Sequence, residues 1–242
     1  EFISTAFDCE SIKFLNEIIE QKFFKVASPD LTNYFILRSI GKTKKPVYLS
    51  TGMGNLNEIR NAIDCLYSYG TPEKKITLLH CTSEYPTPYE DVNISAILTL
   101  KKEFKLPLGF SDHSIGSIAS SMAISLGAVV IEKHFTLSKK MDGPDHKASL
   151  DIIELNEFVS KLRKAQVMKG SGIKDIAPSE KKNIDIVRRS LVAIRKIEIG
   201  EKFSYENISA KRPGGGISPM DFPLIKGKKA KKLFNVDDII EL

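Results

Sequence analysis

The chain predicts an α/β protein built on a parallel sheet, and three observations carry that prediction. Short apolar runs alternate with helix-like segments along the first two thirds of the chain. The runs are continuous rather than alternating, as strands covered on both faces by helices must be, in a sheet that is either doubly wound or closed into a barrel. Small hydroxyl residues, Thr5, Ser28, Ser50, Ser83 and Ser111, close five of the runs. Such a ring of donors around one anion suits the C-terminal mouth of a barrel better than the single crevice of a doubly wound sheet. No Gly-x-Gly-x-x-Gly and no Walker loop occurs, which removes the usual nucleotide signatures.

The elements follow in order. Residues 2–5, 24–28, 47–51, 76–82, 106–111 and 128–132 read as six strands, with helices between them over segments such as 11–21 and 57–69. Asn55 with Glu58 three residues on forms a capping box, and Gly70 supplies the left-handed residue that ends the segment. Asp151 and Glu154 repeat the capping pattern ahead of the last long helix. Gly170, Gly172 and Pro178 then break that helix and mark a boundary. Beyond it, 191–197 alternates as a strand, 198–201 reads as a turn, and 212–216 is a glycine-rich irregular loop. The division expected is a barrel domain over 1–168, a linker over 169–183 and a small turn-rich domain over 184–242.

With 42% hydrophobic and 27% charged residues the chain can bury a core. No run of eighteen apolar residues and no signal peptide is present, so a cytoplasmic protein with no membrane partner is expected. Cys9, Cys65 and Cys81 are odd in number and lack a Cys-x-x-Cys spacing, which reads as reduced thiols. Residues 161–242 carry 19 Lys and Arg against 10 Asp and Glu, whereas 1–160 carry 17 against 20. The basic half has few aromatics and no nucleic-acid motif, so a solvated surface is expected there rather than a nucleic-acid site.

The chemistry concentrates in two short segments. Ser111-Asp112-His113 closes one apolar run, and Glu132-Lys133-His134 closes the next, 21 residues later. A single strand-end histidine is ordinarily a hydrogen-bonded structural group. Two at the same end of neighbouring parallel strands can converge on one metal or one substrate.

The strings Ser50-Thr51-Gly52-Met53, His80-Cys81-Thr82-Ser83-Glu84-Tyr85-Pro86, Ser111-Asp112-His113, Glu132-Lys133-His134-Phe135-Thr136 and Gly143-Pro144-Asp145-His146 resemble those of the sialic acid synthases, in order and spacing. The stretch from Arg188 to Pro219 resembles the small antifreeze-like (SAF) domain that follows the barrel in those enzymes. The resemblance implies a (β/α)8 TIM barrel, here beginning directly before the third strand, and a fragment that lacks two strand-helix units carrying a catalytic glutamate and a lysine. Such a fragment is expected to be inactive by itself. The implied reaction condenses phosphoenolpyruvate with an open-chain N-acetylated hexosamine to give a nonulosonic acid and phosphate.

Residue by residue, the resemblance implies that His113 and His134 hold a divalent cation, Mn²⁺ or Mg²⁺, that polarises the sugar aldehyde. Thr5, Lys25, Ser28, Ser50, Ser83 and Ser111 would bind phosphoenolpyruvate, with Ser83 standing where some members carry asparagine. Tyr85 and Asp145 would face the sugar, Asp145 also counting with the histidines as catalytic. Arg212 would reach the sugar site of a partner subunit in a domain-swapped homodimer. N-acetylmannosamine, a 6-deoxy diacetamido sugar and a phosphorylated sugar all remain open as acceptor, as for N-acetylneuraminate-, legionaminate- or pseudaminate-type synthases. A different class of function, a non-catalytic remnant serving as a binding or assembly module, stands beside the synthase.

Overall fold

The computed structural model describes residues 1–242 and divides into two compact units, Glu1–Gly172 and Ile173–Leu242. In the first, helices and strands alternate: α1 (Cys9–Glu17), β1 (Phe24–Val26), α2 (Tyr34–Thr43), β2 (Val47–Ser50), α3 (Leu56–Ser68), β3 (Ile76–Cys81), α4 (Ala96–Phe104), β4 (Leu108–Asp112), α5 (Ile118–Leu126), β5 (Val130–Lys133) and α6 (Ile152–Lys169). The five strands form one curled, all-parallel sheet in sequential order, β1 to β5.

The sequence reading holds for five strands and fails for the first. Residues 2–5 form no strand; Ser4 instead donates its backbone N–H to the Gln21 side chain at 2.8 Å. The apolar pattern at 2–5 suits a strand, but no ladder partner is laid beside it, and a strand exists only through its pairing. β5 departs in a second way. Its four residues are all half-buried rather than enclosed, whereas β1, the other strand with a single neighbour in the sheet, is fully buried.

Helix starts follow local chemistry. The Asn55 side chain accepts from the backbone N–H groups of Asn57 and Glu58 while Glu58 accepts from the Asn55 N–H at 2.8 Å, the reciprocal box expected at α3. Asp151 and Glu154 make the same box at α6. Gly70 takes φ +119° just past α3. Inside β4, Gly109 is required by close approach: a Cβ there would lie 2.8 Å from the Val130 carbonyl of β5. The core fills the space between sheet and helices with Phe24, Val47, Leu49, Leu66, Ile76, Leu78 and Ile97, all essentially inaccessible to water.

The second unit holds α7 (Ile184–Val187), an antiparallel pair β6 (Ser190–Ala193) and β7 (Ile208–Lys211), and α8 (Phe222–Ile225). The segment predicted to alternate at 191–197 is a strand only to Ala193 and is buried throughout rather than at alternate positions; Ala193 also exchanges backbone hydrogen bonds with Asp237 and Asp238. Phe203, Phe234, Ile197 and Ile240 make its separate core.

Candidate functional site

Both histidines stand one residue beyond a strand end, His113 after β4 and His134 after β5. Their rings lie 5.3 Å apart between centroids, and Tyr85 packs against both, at 4.2 Å from His113 and 5.2 Å from His134. The His113 Nδ1 is 2.7 Å from the Thr82 carbonyl oxygen, which fixes Nδ1–H as the donor and leaves Nε2 its lone pair. Burial pushes the His113 imidazole below its ordinary value, outweighing the Thr82 carbonyl that favours the charged form. A neutral ring with a free Nε2 is the form that binds a metal. Across the pair, His134 Nδ1 lies 3.9 Å from the Asp145 carboxylate. The residues present fit a divalent cation held by two imidazoles, with other positions left to water and substrate oxygens; no third His, Cys, Asp or Glu joins them to make a closed site.

The Asp145 loop is fastened from below. His146 Nδ1 meets the buried Thr136 hydroxyl at 2.7 Å, and Ser149 donates to the Asp145 carbonyl through both its N–H and its hydroxyl. Burial pushes the Tyr85 phenol up, helped by Cys81, Asp145 and Glu132.

Next to the histidines lies a polar pocket. Ser111 Oγ is 3.4 Å from His113 Nε2 and donates to Glu132 Oε1 at 2.6 Å; the same carboxylate oxygen is 3.5 Å from Lys25 Nζ, on β1. Lys25, Ser50 and Ser111 are all buried. Ser28 opens the turn after β1 and meets the Cys81 thiol at 3.1 Å, while Gly52 donates its N–H to Ser28 Oγ. A Cβ on Gly52 would lie 2.5 Å from Ser83 Oγ, 2.7 Å from Ser28 Oγ and 2.9 Å from Cys81 Sγ, so the glycine keeps a cradle of small polar groups open. The Ser50 and Ser83 hydroxyl oxygens are buried and have no partner in the protein, a costly arrangement that a bound acceptor would relieve.

The fold thus gathers Lys25, Ser28, Ser50, Ser83, Tyr85, Ser111, His113, His134 and Asp145 at the C-terminal ends of the parallel strands. Thr5 lies half-buried in the irregular segment before α1, not at a strand end. Arg212 belongs to the second unit, where it follows β7, is exposed, and donates through Nε to the Val187 carbonyl at 3.0 Å. Glu132 is a site residue that the motifs alone do not single out. Its signal lies in the period of two along a strand, which puts Glu132 on the face shared with His134.

The model of the NeuB family matches residues 1–174. The chain belongs to the NeuB family. A SAF domain model matches residues 188–241, inside the second unit. Among members of the NeuB family, the chain is 49% identical over 239 residues to the N,N'-diacetyllegionaminic acid synthase of Campylobacter jejuni, covering 99% of this chain and 71% of that one. It is 37% identical to the pseudaminic acid synthase of the same species, over 98% of this chain and 68% of that one. Of solved NeuB-like structures, the N-acetylneuraminic acid synthetase of Leptospira borgpetersenii in complex with citrate superposes with a TM-score of 0.68 at 33% identity, over 74% of this chain and 62% of that one.

Proposed function

We propose that this NeuB chain carries the site of a nonulosonic acid synthase, which joins the enol carbon of phosphoenolpyruvate to the aldehyde of an N-acetylated sugar, takes up water at the phosphate-bearing carbon and releases phosphate from it. The observation that carries the reading is the pair of buried, unpartnered hydroxyls, Ser50 and Ser83, at and just beyond the ends of β2 and β3, in a sheet that also carries the buried Lys25 and two histidines whose ring centroids are 5.3 Å apart. An ammonium and several hydroxyls complement a carboxylate and a phosphate. His113 and His134 would hold Mn²⁺ or Mg²⁺, which when bound supplies a Lewis acid to polarise the sugar carbonyl. The protein's own groups do the rest. Lys25, Ser28 and Ser111 orient the enol, Tyr85 closes one wall over the histidines, and Asp145 faces the acceptor. Positioning of this kind is worth several orders of magnitude in rate.

The 49% identity to an N,N'-diacetyllegionaminic acid synthase, against 33% to an N-acetylneuraminic acid synthetase, favours a diacetamido acceptor over N-acetylmannosamine. Closure of the curled sheet into a full barrel, pairing of two subunits, and delivery of Arg212 to a partner's sugar site belong to the same reading.

The test is calorimetric titration of phosphoenolpyruvate into the 242-residue chain with Mn²⁺ present. Binding is expected for the wild type, with affinity falling at least about tenfold in Lys25→Ala, as for loss of a charge-assisted contact. Absence of wild-type binding would sink the reading. Calorimetric titration of each of the three acceptor classes into the chain with Mn²⁺ and phosphoenolpyruvate present then ranks the sugars by affinity.

A further inference from the structure

Behind the two histidines lies a buried layer that the reaction chemistry does not use. β4 and β5 pair with Ser111 opposite Glu132 and Asp112 opposite Lys133. Side chains alternate along a strand, so these two rungs face opposite sides of the sheet. The Ser111–Glu132 rung faces the site, joined at 2.6 Å. The Asp112–Lys133 rung faces the helices as an ion pair at 3.2 Å, its side chains 0% and 5% exposed. His113 and His134 are the next residues along the chain, just past each strand end. Each histidine is therefore bonded to one member of a buried, register-matched ion pair.

The pair also clamps the turn beyond β4. Asp112 Oδ1 accepts from the Ser114 N–H at 2.8 Å and the Ser114 hydroxyl at 2.7 Å, and Oδ2 accepts from Ser120 of α5 at 2.5 Å. Lys133 donates to the Ser114 carbonyl and lies 5.8 Å from the centre of the Phe158 ring in α6. Ser114 is thus held at its N–H, its hydroxyl and its carbonyl, so His113 is bracketed by two fixed residues. On the other strand, the Leu150 N–H binds the His134 carbonyl at 2.9 Å. A buried ion pair contributes little net stability compared with well-packed apolar groups, so stability alone does not account for one here. Fixed geometry does.

We propose that Asp112 and Lys133 are positioning residues that set the separation and aim of the two imidazoles, and thereby the affinity of the cation site. The proposal rests on the reading of His113 and His134 as metal ligands. Groups that orient metal ligands without touching the metal typically change affinity ~10–100-fold when removed.

Mn²⁺ binding to the 242-residue chain, followed by the electron paramagnetic resonance signal of the free ion, tests it, with a melting curve for each variant. Lys133→Met keeps an unbranched stem over Phe158 and leaves Asp112 its three other donors. The expected result is a Kd raised ~10-fold or more at a temperature where the variant is fully folded, with partial recovery in Lys133→Arg. A wild-type Kd in folded Lys133→Met overturns the proposal, whatever its melting temperature. Should Lys133→Met not fold, Ser120→Ala frees Asp112 Oδ2 and leaves the ion pair; a Kd raised ~2–5-fold is expected there, and an unchanged Kd overturns the proposal. Failure of the wild type itself to bind Mn²⁺ would remove the metal reading, and this proposal with it, whereas normal wild-type binding beside unaffected variants removes this proposal alone.

Discussion

Gly52 shows how one missing atom shapes the site. Ser28, Cys81 and Ser83 all stand within 3 Å of where its Cβ would be, and two of these are the side chains expected to meet the phosphoenolpyruvate anion. Gly52→Ala is expected to rotate those hydroxyls away and weaken phosphoenolpyruvate binding by about tenfold or more, as loss of two polar contacts of ~1 kcal/mol each would do. Mn²⁺ affinity should stay at the wild-type value, since neither histidine lies among the nearest neighbours of that Cβ. Parallel titrations with the two ligands decide it; equal loss of both would mean that the substitution disturbs the strand ends in general.

At the scale of elements, the parallel strands place the groups and the helices hold the strands in register. α3 follows the Gly52 turn directly, and its start depends on the Asn55 and Glu58 box. Asn55→Ala removes the acceptor for two backbone N–H groups and should cost about 1 kcal/mol, read as a lower denaturant midpoint with an unchanged slope. Asn55→Ser should recover most of it. Both caps, at α3 and α6, are legible in the sequence because a capping box is local chemistry, decided within four residues. The first strand is not, because residues 2–5 have a strand's composition but no neighbour to bond. The half-buried state of β5 is illegible too, because a run of apolar residues records a tendency to be covered, not which strand or helix covers it.

At the scale of the whole molecule, two half-buried imidazoles set the acid side of the stability curve. Burial lowers the His80 and His113 values below the ordinary 6.5. As pH falls through the window just below 6.5, the unfolded chain takes up these protons before the folded one does, so stability falls with pH there and levels off once the folded state is protonated too. Glu201, held down to about 2 by Arg195 and Asn207, and Asp8 and Glu154, also lowered, act at more acid pH: their contribution is present above the ordinary carboxylate value and lost toward the folded one. Melting temperatures from pH 7.5 to 5 should therefore decline. The decline should be shallower in His80→Gln, which keeps a donor for the Val92 carbonyl that the ring meets at 2.9 Å but carries no titratable group. A slope unchanged by that substitution would count against the assignment. No helix is long and apolar enough to cross a membrane.

The sequence by itself determined the α/β class, five of the strands, the helix caps and the two strand-end histidines, because each depends on periodicity or on contacts a few residues long. It also carried the motifs by which the chain belongs to the NeuB family. Only the tertiary structure decided which polar groups meet: that Glu132 accepts from Ser111 beside Lys25, that the Thr82 carbonyl fixes the ring of His113, that Ser50 and Ser83 are left without partners, and that Asp112 faces Lys133 behind the two histidines. Those contacts join residues up to about a hundred positions apart, on strands whose pairing and register are set by the packing of the whole sheet rather than by any segment of it.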